Sequence, residues 1–209
     1  MDKFIDKALT GELDSDRHLI SIYAMALASR GKTYVELGVR EGHTSEPLYQ
    51  AAKLNGGKLW SVDLNQPTEY TPIVNGFDDR NHYEFVQSDS IRFLEEWPRD
   101  HKIDVVFVDD WHSYSHVKKQ LELLDELVGP SSIILLHDLM YGNTEPFYHC
   151  DIAHGGPQWD GGGPYRAVAE LNPQFWEWST YLGTMVLPSC EKSIVIDITG
   201  DNNVSSKYS

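Results

Sequence analysis

The chain has little cysteine, a shortage of basic residues and no long apolar run. Its two cysteines, Cys150 and Cys190, stand in no C-x-x-C or comparable spacing. That argues against a cysteine-held metal or redox centre and suits a reducing compartment. Seventeen lysines and arginines face 32 aspartates and glutamates, a formal charge of −15. Such a chain repels polyphosphate backbones, so nucleic acid is not the expected partner. No stretch is apolar for long enough to cross a bilayer, so no membrane partner is expected either. The start, Met1-Asp-Lys-Phe-Ile-Asp6, lacks the basic segment and apolar core of a secretion signal, and a cytoplasmic location is expected. Repeats and low-complexity tracts are absent. So is G-x-G-x-x-G, the glycine pattern of dinucleotide turns.

What is present is an alternation of short buried strands and helices. At 209 residues it suggests one domain with a full core. Thr33 to Leu37 reads as a strand, rich in β-branched and aromatic side chains. Gly38 and Gly42 flank a turn, and Arg40 stands where a dinucleotide turn would have its second glycine. Thr44 and Ser45 are N-cap types for a helix running to about Lys53, with Pro47 tolerated in its first turn. Lys58 to Asp63 is a second strand ending on a carboxylate. His82 to Val86 is a third, followed by Gln87-Ser-Asp-Ser90, where Asp89 or Ser90 could start a helix to Trp97. Ile103 to Asp109 is a central parallel strand, and it runs into Asp110-Trp-His112. A helix with Val117, Leu121, Leu124 and Leu127 on one face follows. Ser132 to Leu136 is the next strand and ends in His137-Asp138.

Residues 3–30 read as helical, with a break near Gly11, and would cover one side of the sheet. Residues 139–163 read as a long loop with aromatics and histidines, suggestive of a cover over a pocket. A short helix after Pro164, a strand over 174–182 carrying Phe175, Trp176, Trp178 and Tyr181, and an antiparallel hairpin of 184–187 with 193–198 would finish the chain. The expected architecture is α/β: a doubly wound, mostly parallel seven-stranded sheet with a C-terminal antiparallel hairpin and helices on both faces. Its parts would be an N-terminal cover (1–31), a core (32–138), an active-site loop (139–163) and a terminal helix with hairpin (164–199).

The strand ends carry the chemistry. Open α/β sheets bind ligands where parallel strands end. An acid at Asp63 could accept hydrogen bonds from ribose hydroxyls, or simply cap a turn. Asp89 could receive a purine amino group or cap its helix. Asp109, Asp110, His137 and Asp138 end two neighbouring strands at equivalent ends. Carboxylates meeting there repel unless a cation, a proton or a shared ligand compensates. Mg²⁺ would serve, and a histidine among the ligands shifts preference toward Mn²⁺, Zn²⁺ or Fe²⁺.

These segments, in this order, resemble the Rossmann-like S-adenosylmethionine-dependent methyltransferases over about residues 33–198. Glu36-Leu-Gly-Val-Arg-Glu-Gly-His-Thr-Ser45 is similar to their first motif. Val108-Asp-Asp-Trp-His-Ser-Tyr114, Leu136-His-Asp138 and Gly163-Pro-Tyr-Arg-Ala-Val-Ala-Glu-Leu171 resemble the small O-methyltransferases of the catechol, macrocin and cephalosporin-hydroxylase-like kinds. The resemblance implies S-adenosylmethionine as cofactor. Glu36, Gly38, Gly42, Thr44 and Ser45 would shape the methionine and ribose site, Asp63 would take the ribose, and Asp89 with Ser90 the adenine edge. Asp109 would stand between cofactor and metal. A divalent ion, Mg²⁺ or another, would use Asp109, His137 and Asp138. His112 falls where the catechol enzymes carry a lysine base, and would join Asp109 as a catalytic residue. The partner would be a small-molecule acceptor with a hydroxyl group; self-association stays open. The competing readings are a metabolite- or nucleotide-binding protein without catalysis, a metal-dependent hydrolase using the Asp/His cluster, and an NAD-dependent oxidoreductase.

Overall fold

In a computed structural model of the chain, residues 3–11, 15–67, 79–138, 163–170, 176–178 and 182–185 are described. The strands are β1 (Thr33–Leu37), β2 (Lys58–Asp63), β3 (Tyr83–Gln87), β4 (Ile103–Val108), β5 (Val128–His137), β6 (Trp176–Trp178) and β7 (Leu182–Met185). The helices are α1 (Lys3–Thr10), α2 (Leu19–Ala28), α3 (Ser45–Leu54), α4 (Ser90–Glu96), α5 (Tyr114–Leu127) and α6 (Gly163–Ala169). A 3-10 turn, Ser15–His18, leads into α2. None of the described helices is long and apolar enough to cross a membrane.

Strands β1 to β5 pair in parallel, in the spatial order β3-β2-β1-β4-β5. The order reverses between β1 and β4, so a crevice opens at the carboxyl ends of those two strands. With β7 and β6 added antiparallel at the β5 edge the sheet has seven strands, but the hairpin expected from 184–187 and 193–198 needs correction. The parallel sheet has five strands. The antiparallel segments described at its edge are β7 against β5 and β6 against β7; β6 falls inside the expected strand 174–182, and β7 begins two residues before the expected 184–187. Aromatic residues of one continuous stretch, 174–182, hid the break between them. Residues 193–198 and most of the expected 139–163 loop lie outside the described residues.

Side-chain parity distributes the core over both faces of the sheet. Val35, Leu37, Val106, Val108, Ile134 and Leu136 meet α4, α5 and α6. Tyr34, Val105, Phe107 and Leu135 meet α2 and α3 on the opposite face. The expected inward face of α5 is confirmed: Val117, Leu121, Leu124 and Leu127 are all buried. Strand β5 begins earlier than expected, at Val128 directly after α5. A register shift against β4 absorbs Gly129 and Pro130. Ser132 bridges that irregularity, donating from Oγ to the Ile103 carbonyl at 2.6 Å and accepting from the Gly129 N–H at 2.8 Å.

Candidate active site

The turn after β1 is fastened from two sides. Gly38 has φ +92°, and a Cβ there would lie 2.1 Å from the Asp109 carbonyl oxygen. The glycine therefore lets the turn lie against the end of β4. On the other side, Asp63 at the end of β2 accepts from the Val39 N–H at 2.9 Å and the Arg40 N–H at 3.1 Å through Oδ2. Its Oδ1 accepts from the Asn65 N–H at 2.9 Å. Arg40 sits at φ +49°, a conformation uncommon outside glycine, and the Asp63 bond helps to hold it.

Thr44 and Ser45 do not cap α3. Thr44 makes no side-chain capping bond. Both hydroxyls donate to Glu36 instead, each at 2.6 Å, and Ser61 donates to it at 2.5 Å. Glu36 is fully buried. A buried carboxylate left without donors costs more than an uncapped helix end, so the hydroxyls go there. Strand parity places Glu36 on the α3 face with Tyr34, a consequence readable from the sequence once β1 is placed. Burial raises its pKa to about 7, against the opposing effect of the three hydroxyls.

Glu36 therefore makes stability depend on pH. From pH 4.5 to about 7 the folded protein keeps a proton that the unfolded chain has released. Stability must fall with rising pH across that window and level off above it, by on the order of 3 kcal/mol at most. Urea unfolding at pH 5 and pH 8 checks this. Wild type should lose more stability than Glu36→Gln between the two; parallel losses would refute the assignment.

One cleft of about 380 Å³ lies over these strand ends. Of the residues expected around the cofactor, Gly38, Thr44, Asp63, Asp89, Ser90 and Asp109 line it; Glu36, Gly42 and Ser45 do not. Asp89 is the N-cap of α4, accepting from the Arg92 N–H at 3.0 Å through Oδ1. Ser90 donates to Asp110 Oδ2 at 2.5 Å. The same oxygen receives Gln120 at 2.8 Å and lies 2.9 Å from His116 Nε2. Burial alone would raise the Asp110 pKa, but these partners hold it below the usual carboxylate range. His116 and Gln120 were not anticipated. They sit in the first and second turns of α5, and only the packing of that helix against α4 brings them to Ser90.

Of the four residues expected to converge at the ends of β4 and β5, Asp109, His137 and Asp138 do so, while Asp110 faces Ser90, His116 and Gln120 instead. Asp138 turns into the left-handed region at φ +55°, which aspartate tolerates better than most residues. His112 Nε2 lies 3.3 Å from Asp109 Oδ1 and 3.5 Å from Asp138 Oδ2. His137 Nδ1 lies 3.4 Å from Asp109 Oδ1 and 3.2 Å from Asp138 Oδ1. Burial would lower both imidazole pKa values. The carboxylates, Asp109 first, outweigh it: His112 is raised, and His137 is raised to about 11. In turn, Asp109 is brought down to about 2, where burial alone would raise it and His137 counters most strongly.

The segment before α2 adds residues that the sequence did not place at the site. Ser15 lines the cleft. The buried Asp16 carboxylate meets His43 Nδ1 of the β1–α3 turn at 2.7 Å. The His18 ring stands edge-on to that of His137, with 5.9 Å between centroids. The N-terminal cover thus reaches the candidate site itself.

The geometry agrees with comparisons to known proteins. Residues 35–139, half of the chain, match the family described as a methyltransferase domain. The fold is similar to that of an O-methyltransferase family protein from Burkholderia thailandensis, with TM-score 0.59 and 15% identity. That match covers 83% of this chain but 56% of the other, so this chain spans just over half of that relative's length. An O-methyltransferase from Bacillus cereus in complex with SAH gives TM-score 0.59 at 11% identity, over 89% of this chain and 91% of that one. A SAH-bound methyltransferase from Podospora anserina gives 0.58 at 13% identity, over 90% and 88%. At such identities the likeness is one of fold. No curated protein matches by sequence. With half its length in the family match and the cleft at the expected strand ends, the chain belongs to the methyltransferase-domain family, with a Rossmann-like fold.

Proposed function

We propose that the protein transfers the methyl group of S-adenosylmethionine to a hydroxyl oxygen of a small molecule. The observation that carries this reading is the composition of one cleft. It is lined both by Asp63 at the end of β2 and by the Asp109–His112–Asp138 cluster at the ends of β4 and β5. In this reading Asp63 takes the ribose hydroxyls while continuing to hold the turn. Asp89 and Ser90 border the adenine. Gly38, Gly42, Thr44, Ser45 and Glu36 fix the shape of the turn beneath the cofactor.

The transfer forms a C–O bond as the C–S bond breaks, and the hydroxyl proton must leave. With Nε2–H donated to Asp109, the His112 Nδ1 lone pair accepts it, and Asp109 and Asp138 stabilise the resulting imidazolium. Holding donor and acceptor in line is the cleft's other contribution. The residues present fit a divalent ion. Asp109, His137 and Asp138 each offer a ligand atom, all within 4.8 Å of one another. His137 is buried, with neither ring nitrogen in a hydrogen bond among the described residues. An ion held there would lower the pKa of an acceptor hydroxyl.

Calorimetric titration with S-adenosylhomocysteine is the first test, followed by a panel of phenolic, sugar and other small hydroxyl acceptors scored by S-adenosylhomocysteine release. Binding with turnover on a hydroxyl acceptor is expected. His112→Ala should keep the affinity within about threefold and lower turnover by roughly 10²–10⁴. Failure to bind S-adenosylhomocysteine would overturn the reading, and unchanged turnover in His112→Ala would remove His112 as the base.

A further inference from the structure

We infer that His116 reads the base of the bound cofactor, its Nδ1 accepting a hydrogen bond from the adenine amino group, and that Asp110 presets the ring for this contact. The inference rests on the methyltransferase reading above and names a specificity-determining residue within it.

The polar network between α4 and α5 carries it. His116 Nε2 lies 2.9 Å from Asp110 Oδ2 and 3.2 Å from Ser90 Oγ. The same Asp110 oxygen receives Ser90 at 2.5 Å and Gln120 at 2.8 Å. An oxygen that gathers three donors is acting as an ionised carboxylate, which only accepts. The imidazole proton that faces it therefore sits on Nε2, and in a neutral ring that leaves Nδ1 as the acceptor. Nδ1 has no hydrogen-bond partner among the described residues, and His116 lines the cleft. A carboxylate behind one ring nitrogen is also the device that fixes tautomer and ring orientation in metal-ligating histidines.

The neighbours of His116 are already committed. Ser90 donates its hydroxyl to Asp110 and accepts from Gln120 Nε2 at 2.9 Å, so it shapes the base site without a hydrogen to offer. Asp89 gives one oxygen to the Arg92 N–H. A cofactor whose ribose meets Asp63 at the end of β2 carries its base on toward Ser90, after β3, and Ser90, Asp110 and His116 line that same cleft. An amino group of the base finds an acceptor in Nδ1. A carbonyl oxygen in its place would face the Nδ1 lone pair. Moving the ring proton to meet it would turn the Nε2 lone pair against the Asp110 carboxylate. The network thus selects a 6-amino purine over a 6-oxo purine.

The test compares S-adenosylhomocysteine with its 6-oxo analogue, S-inosylhomocysteine, by calorimetry on the full chain at pH 8, where an ordinary imidazole is neutral. Wild type should prefer the amino form by roughly 10–100-fold. His116→Phe keeps a ring and removes the acceptor, and should bring the ratio to within about threefold. His116→Leu takes its place if that variant does not fold. Asp110→Ala should narrow the ratio by about fivefold or more, whereas loss of a merely structural contact would weaken both ligands alike. Equal affinities of wild type for the two ligands, or an unchanged ratio in whichever apolar variant folds, would overturn the inference and leave the methyltransferase reading standing. Failure to bind S-adenosylhomocysteine at all would overturn both.

Discussion

Gly38→Ala is expected to lower the thermal unfolding midpoint by roughly 10 °C and to abolish S-adenosylhomocysteine binding. Two independent penalties meet at this residue. Its φ of +92° lies where L side chains are strained, at a cost of about 1–3 kcal/mol. The added Cβ would fall 2.1 Å from the Asp109 carbonyl oxygen and 2.9 Å from the Asp110 Cα. Neither is the far end of a flexible side chain, so β4 and the turn must separate, and overpacking of this kind costs about another 1–3 kcal/mol. Because the displaced backbone carries Asp109 and Asp110, the site moves with it. Differential scanning fluorimetry and calorimetry with S-adenosylhomocysteine give both readouts. A variant with the wild-type midpoint would mean that the turn is looser than described.

Asp63→Ala should raise the dissociation constant for S-adenosylhomocysteine by about 100-fold, with a smaller effect on stability. The side chain accepts from three backbone N–H groups, those of Val39, Arg40 and Asn65. Hydrogen bonds to a charged acceptor contribute about 1.5–3 kcal/mol each. The donors lie at a solvent-accessible cleft, so water recovers part of that loss in the free protein. With the cofactor bound, the proposed ribose contact has no replacement. Asp63→Asn keeps one acceptor oxygen and the shape, and should fall between, near tenfold. An Asp63→Ala variant that binds as well as wild type would confine Asp63 to holding the turn.

Much of this arrangement was legible before the structure, for a local reason. β4 is a run of β-branched residues, α5 repeats its apolar residues at helical spacing, and acids stop the strands that carry them. Each of these patterns is encoded within a few neighbours. The features that escaped notice depend on distant elements. Thr44 and Ser45 have the chemistry of helix caps, and only the buried Glu36 on the adjoining strand redirects their hydroxyls. Gln120 and His116 look like ordinary residues of an amphipathic helix until α4 brings Ser90 against them. Asp16 and His18 belong to a segment whose sequence suggests plain packing, and their contacts with His43 and His137 follow from how that segment lies on the sheet. The antiparallel edge was misplaced because aromatic residues continue across the break between β6 and β7, leaving no compositional boundary.

The reversal of strand order between β1 and β4 also bears on how the chain folds. The backbone N–H of Lys32, just before β1, donates to the Asp104 side chain, a partner 72 residues further along. Gly38 likewise rests on Asp109 across a similar interval. Contacts of such sequence separation form slowly, because the intervening loop must close before they contribute. The glycine turn can be made early from local sequence, but the crevice has only one wall until β4 inserts beside β1. The appearance of cofactor affinity during refolding should therefore coincide with β1–β4 docking, which makes ligand binding a reporter of the slowest long-range step.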